Sequence, residues 1–231
     1  INIFGTLLID FIVLFIIYLL GESFEIYKYL VAAIILLVPC SEIIVSIINR
    51  YVCKHVDIRH VPKMYINDLE NNNKTIVIIP TIISSKNDIL NLVEKLEIIY
   101  LANKLSNVYF AILADFKDSV TENRDEDRIL NIFALKNIEN LNKKYNFEEE
   151  CKFFFLNRKR TYNPKENIFM GRERKRGKIV EFINLLKKDK NHTFNLISTS
   201  IENLRDARYI ITLDTDTFVP RNNIKKLIGA M

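Results

Sequence analysis

RYIITLDTDTFVPRN, Arg208 to Asn222, is an apolar run that stops abruptly at two carboxylates, Asp214 and Asp216. Its β-branched and aromatic residues read as a buried strand. In an extended chain, residues two apart point the same way, so both carboxylates face one side of the strand end. Two such charges repel each other unless a cation lies between or beside them. Oxygen-only ligands suit Mg²⁺ or Mn²⁺, which keep waters and grip substrate phosphates. The functional reading is a metal held against a nucleotide diphosphate. The bland reading is a solvated turn after a strand, where Asp is common. The residues alone leave both open.

Working outward, other strands end on similar landmarks. TIVIIPT, Thr75 to Thr81, reads as a fully buried strand stopped by Pro80. VYFAILAD, Val108 to Asp115, is a second buried strand ending on an aspartate, and KFFFLNR, Lys152 to Arg158, is a third. Between them, Asp88 to Ala102 places Ile89, Leu92, Val93, Leu96 and Ile99 at helical spacing, and Asp127 to Tyr145 is amphipathic. Gly177 to Lys188 carries Ile179, Phe182, Ile183 and Leu186 at the same spacing. Alternating strands and helices imply an α/β layer structure with a mainly parallel sheet, whose ligands sit beyond the carboxyl ends of the strands. One crevice there can hold Pro80, Thr81, Asp115, Asp214 and Asp216.

The front of the chain is different. Ile1 to Leu20 holds only Asn2, Thr6 and Asp10 against an apolar background, and Tyr29 to Ile48 is broken only by Pro39, Ser41 and Glu42. Both runs have the length a bilayer core requires. They predict two transmembrane helices over residues 1–50, joined by the hinge GESFE; a pair of buried core helices is the alternative, kept alive by Asp10 and Glu42. A signal peptide fits poorly, because there are two runs and neither has a small-residue cleavage site. Arg50, Lys54, Arg59 and Lys63 follow the second run, so the α/β domain is expected on the cytoplasmic side. Residues 51–74 read as a juxtamembrane connector and 75–231 as the α/β domain. The 231 residues carry 33 basic and 28 acidic side chains, a formal charge of +5, and the three cysteines show no metal or disulfide spacing. That usage fits a reducing compartment. The three histidines form no cluster and read as surface residues.

GRERKRGK, Gly171 to Lys178, packs Arg172, Arg174, Lys175, Arg176 and Lys178 at the start of a predicted helix. Helix-start amides with nearby Lys and Arg favour phosphate. A solvated charge run, or a patch touching the anionic leaflet, accounts for the same residues. Nucleic acid is not indicated, since the charge is local and no binding module accompanies it.

In this order IVIIPTI, YFAILADF, KFFFLNR, MGRERKRGKIVEF and RYIITLDTDTFVPRNNIKKLIGAM resemble the glycosyltransferase region of the cyclic β-1,2-glucan synthases, bacterial inner-membrane enzymes. The similarity covers about Pro62 to Met231. It implies a GT-A, family-2-like fold, here incomplete, and polymerisation of glucose from UDP-glucose onto a growing glucan acceptor with inversion. The reaction would take place at the cytoplasmic face of a multi-pass membrane protein in contact with lipid. Carried over, Pro80 and Thr81 line the uridine pocket and Asp115 contacts the uracil or ribose side. Lys175 and Gly177 resemble a Lys-x-Gly step whose lysine approaches the diphosphate, with Arg172 and Lys178 as helpers. Asp214 and Asp216 match the metal-binding Asp-x-Asp, Asp216 being the more direct ligand. The departures matter too. A carboxylate base and a Gln-x-x-Arg-Trp element are expected in this class, but the chain has no Trp and ends at Met231, so the catalytic base is expected beyond it. The chain also begins with Ile and is read as a fragment, one expected to be inactive alone. Two rivals remain: a haloacid-dehalogenase-type phosphatase, whose Asp-x-Asp-x-Thr signature Asp214 to Thr217 spell, and a non-catalytic membrane-tethered module binding anionic lipid.

Overall fold

The computed structural model describes residues 2–19, 26–56, 74–147 and 150–230. The chain divides into two compact units, Ile1–Val61 and Pro62–Met231. The first contains helices α1 (Asn2–Leu19) and α2 (Ile26–His55). They pack closely at Gly5, where an added Cβ would lie 3.1 Å from Ile44 Cδ1. Asp10 and Cys40 are buried, while Phe11, Phe15, Ile34, Ile35 and Val38 are exposed.

Of the two expected membrane spans, one is met among the described residues. Among the described residues only α2 is long and apolar enough to cross a bilayer. Its 30 residues rise about 45 Å at the α-helical pitch. In α1 the apolar stretch found among the described residues is Gly5–Leu19, and residues 1 and 20–25 on either side of the helix lie outside the described residues. The hinge GESFE and residues 57–73 of the connector, with Arg59 and Lys63, lie outside the described residues. Arg50 and Lys54 are part of α2, which runs past the end of the apolar stretch.

The second unit is an α/β domain, as the alternation of patterns predicts. Its sheet contains β1 (Thr75–Ile83), β2 (Val108–Phe116), β3 (Phe153–Arg158), β6 (Phe194–Ile197) and β7 (Tyr209–Thr212) in the order β6-β3-β2-β1-β7. All pairings are parallel except that of β3 with β6. A small antiparallel hairpin, β4 (Thr161–Asn163) with β5 (Ile168–Met170), stands beside it.

The helices are α3 (Lys86–Ala102), α4 (Asp125–Lys144), α5 (Arg174–Leu186) and the single-turn-scale α6 (Asn223–Ile228). Alternate residues of each strand serve opposite faces. Val77 and Ile79 with Phe110 and Ile112 pack against Leu92 and Leu96 of α3, Leu130 and Ile138 of α4 and Ile224 of α6. Ile76 and Ile78 with Tyr109, Ala111 and Phe154 pack against Phe182 and Leu185 of α5. Burial on both faces is why β1, β2 and β3 read as unbroken apolar runs. At the head of α3, Ser85 and Asp88 form a capping box: the Ser85 hydroxyl accepts from Asp88 N, and the Asp88 carboxylate accepts from Ser85 N.

Three local readings change. Strand β1 does not stop at Pro80 but runs on to Ile83 beside β2. Ile78 is the last residue of β1 in register with β7, and its carbonyl accepts from Leu213 N. Backbone groups two residues apart point to the same side, so the N–H that Pro80 lacks would have faced a ladder already finished. Helix α5 begins at Arg174, before the predicted Gly177, and so takes Lys175 into its first turn. Finally, β7 is a four-residue strand at the sheet edge, and of its residues only Ile211 is buried. It ends at Thr212, and Asp214 to Thr217 form a turn closed by Thr217 N donating to Asp214 O at 3.1 Å. The two aspartates therefore sit on a turn after an edge strand, not in an extended interior segment.

Candidate active site

The carboxyl ends of the parallel strands and the loop before α5 meet in one place. Asp115, near the end of β2, is almost wholly buried. Its carboxylate accepts two hydrogen bonds from the Arg158 guanidinium, each 2.8 Å, and Lys178 Nζ lies 3.0 Å from Oδ2. Arg158 donates through Nη1 to Glu181 Oε1 at 3.0 Å, and Glu181 Oε2 accepts from both Thr193 N and its hydroxyl. Two cations thus face two anions inside the fold, a charge balance that buried ions require. Lys178 also donates to the Thr81 carbonyl, which ties α5 to the end of β1. Burial pushes the Lys178 ammonium below the ordinary lysine value, and the neighbouring Asp115 opposes that shift.

The same cluster shapes the basic loop. Arg158 donates to the carbonyls of Arg172 and Arg174, both at 3.2 Å. Gly171 is required by this approach: a Cβ would lie 2.5 Å from Asp115 Oδ2 and 3.0 Å from Arg158 Nη2. Glu173 and Arg174 adopt left-handed φ angles of 49° and 47°, an arrangement that costs energy in non-glycine residues and is held by the surrounding contacts. At Gly177 a Cβ would meet the Arg172 carbonyl at 2.2 Å. The loop therefore folds tightly over the start of α5.

This geometry carries Lys175 to the turn after β7, where its ammonium pairs with Asp214 Oδ1. Lys95 of α3 approaches the same turn and donates to the carbonyls of Asp214 and Thr215. Partial burial lowers the Lys95 pKa, and the charges of Asp216 and Asp214 work against that shift. Phe218 follows, 89% exposed, with its ring centre 6.0 Å from Lys95 Nζ. Asp216 and Arg172 are exposed.

The residues singled out from sequence thus fall into two connected groups. Thr81, Asp115 and Lys178 are joined by direct contacts, and Lys175 is joined to Asp214. The Gly171–Arg174 loop and α5 link the groups. Pro80 lies in β1 immediately before Thr81. Sequence reasoning missed Arg158, Glu181, Lys95 and Gly171. Arg158 had a usable signal, since it closes an apolar strand as Asp115 nearly closes its neighbour. The register pairs Ala114 with Asn157, which sets Asp115 beside Arg158. Lys95 and Glu181 had none, each being one polar residue on an amphipathic helix.

Together these features define a class: an α/β domain whose parallel strands deliver acidic and basic groups to their carboxyl-terminal edge, where such sheets bind ligands. No protein-family model matches the chain. It is 33% identical over 171 residues, 72% of its length, to the cyclic beta-(1,2)-glucan synthase NdvB of Rhizobium meliloti (strain 1021). At the family level, the matched segment belongs with the cyclic β-(1,2)-glucan synthases. The chain spans about 6% of the length of that relative.

Proposed function

We propose that this chain carries the donor-binding part of a membrane-bound inverting glycosyltransferase. In this reading it binds UDP-glucose through a divalent cation at Asp214 and Asp216, for synthesis of a β-1,2-glucan on a growing glucan acceptor. The observation that carries the proposal is the meeting of Lys175 with Asp214, 39 positions apart, within a chain related to a glucan synthase. A lysine placed for a diphosphate and an acid placed for its cation belong within one ligand's reach of each other.

The donor set fits Mg²⁺ or Mn²⁺. Asp214 and Asp216 offer exposed carboxylate oxygens on one turn, and hard cations prefer oxygen. Among the described residues, no group of three or more His, Cys, Asp or Glu is assembled for a metal. The protein would then supply two ligands and leave the remaining positions to water and phosphate oxygens, as Mg²⁺ sites commonly do. When bound, such an ion supplies Lewis-acid stabilisation of the charge that builds on departing UDP.

The chain's own residues divide the remaining work. Lys175 binds the diphosphate, with Arg172 as a second cation beside it. Pro80, Thr81 and Asp115 bound the uridine side, Asp115 being oriented by Arg158 and Lys178. Gly177 lets the loop close over the helix start. Lys95 holds the turn that bears both acids by its carbonyls. The apolar helix α2 supports attachment to a bacterial cytoplasmic membrane, with the α/β domain on the cytoplasmic side.

UDP-glucose binding, measured by calorimetry on the detergent-solubilised chain, is expected to require Mn²⁺ or Mg²⁺ and to disappear in Asp216→Ala. Binding that ignores both the metal and that substitution would end this reading. Retention on anionic vesicles with no nucleotide binding at all would instead favour the lipid-binding module.

A further inference from the structure

We infer that Lys175 is an exchangeable counter-ion for Asp214. It holds the carboxylate while the site is empty and yields it to the cation when a diphosphate takes up its ammonium. Metal and diphosphate then bind better together than either does alone. This rests on the donor-site reading above and adds a means of control to the same site.

The argument begins with exposure. The Lys175 and Asp214 side chains are 50% and 57% exposed, whereas Arg158 and Asp115 are 0% and 5%. Exposed ion pairs contribute little to stability, so one is readily exchanged for a better partner. The buried pair is a fixed part of the fold. The two neighbouring lysines are also attached differently. Lys95 donates to the backbone of the Asp214 turn, so the turn keeps its place when the carboxylate changes partner. Lys175 pairs with the carboxylate itself.

The backbone on the lysine side is anchored as well. Arg158 fixes the carbonyls of Arg172 and Arg174 just ahead of Lys175, leaving only the side chain to move. An ammonium on Asp214 Oδ1 occupies a lone pair a metal would use and repels a divalent ion approaching it. A diphosphate offers the ammonium stronger, charge-assisted acceptors. Drawing it away removes the repulsion, and thermodynamic linkage requires the effect to run equally in both directions.

The test titrates the 231-residue chain in detergent with Mn²⁺, read as free ion by electron paramagnetic resonance, with and without UDP. Wild type is compared with Lys175→Met, Lys175→Arg and Asp216→Ala. In Lys175→Met, Mn²⁺ alone is expected to bind about two- to fivefold tighter, the scale of an exposed ion pair. UDP alone should bind about tenfold weaker, the scale of one lost charged hydrogen bond. The gain in Mn²⁺ affinity on adding UDP should shrink. Lys175→Arg keeps the charge and should keep the wild-type Mn²⁺ affinity. If wild type binds Mn²⁺ through Asp216 and Lys175→Met binds it no tighter, the exchange is overturned while the donor-site reading stands. If no Mn²⁺ binding is lost on Asp216→Ala, the donor site and the exchange fall together.

Discussion

Replacing Arg158 by Met tests the internal frame of the site. The guanidinium makes five hydrogen bonds: two to Asp115, one to Glu181, and one each to the carbonyls of Arg172 and Arg174. Methionine fills much of the volume and makes none of them. Asp115, its side chain 5% exposed, then keeps Lys178, and Glu181, 9% exposed, keeps its two hydrogen bonds from Thr193 but loses its cation. Breaking a buried ion pair by removing one partner costs about 3–5 kcal/mol. Domains of this size have about 5–15 kcal/mol in all, so the loss is a fifth or more. In midpoint temperature it corresponds to roughly 10 °C.

Thermal unfolding of the detergent-solubilised chain, followed by near-ultraviolet circular dichroism, measures it. A companion variant combining Arg158→Met with Asp115→Asn should lose less than the two single losses added, by about 1–3 kcal/mol, because the partners act as a unit. A drop under about 1 kcal/mol for Arg158→Met, or strict additivity in the pair, would refute the reasoning.

Two further substitutions probe neighbouring features. Gly171→Ala places a methyl 2.5 Å from Asp115 Oδ2, so the loop must shift; a cost of about 1–3 kcal/mol and weakened UDP binding are expected together in thermal and calorimetric assays. Asp88→Ala removes the capping carboxylate of α3, a loss of about 1 kcal/mol near neutral pH. The Ser84 hydroxyl holds the Asp88 pKa below its ordinary 3.8, so the unfolded chain binds the proton first. The contribution is therefore present above that value and lost as pH falls through the lowered folded value. Wild type and Asp88→Ala should converge in strongly acid urea titrations, and a difference that persists there would contradict the capping role.

How much of this was legible depended on what kind of signal each feature leaves. Strands β1, β2 and β3 are buried on both faces and so spell long apolar runs. Helices α3 and α4 bury one stripe and so show helical spacing. Strand β6 and the β4–β5 hairpin are short and largely half-exposed, so no apolar run announces them. The start of α5 was hidden for a related reason, since Arg174, Lys175 and Arg176 turn no apolar side chain to the core.

The first unit shows a different limit. Hydropathy marks both runs, and among the described residues one of them, α2, forms a helix long and apolar enough to qualify as a span.

The chemistry divides along the same line. Local composition alone placed acids at strand ends and a basic cluster ahead of a helix, because strand burial and charge are properties of neighbours in sequence. Which charge meets which was decided by the tertiary structure. Arg158 finds Asp115 across 43 positions, Lys178 finds Thr81 across 97, and Lys95 finds the Asp214 turn across 119. Such pairings follow from sheet order and register, which bring strand ends together regardless of their separation along the chain. The edge position of β7, and with it the exposure of Asp214 and Asp216, is likewise a result of sheet order that no local pattern encodes.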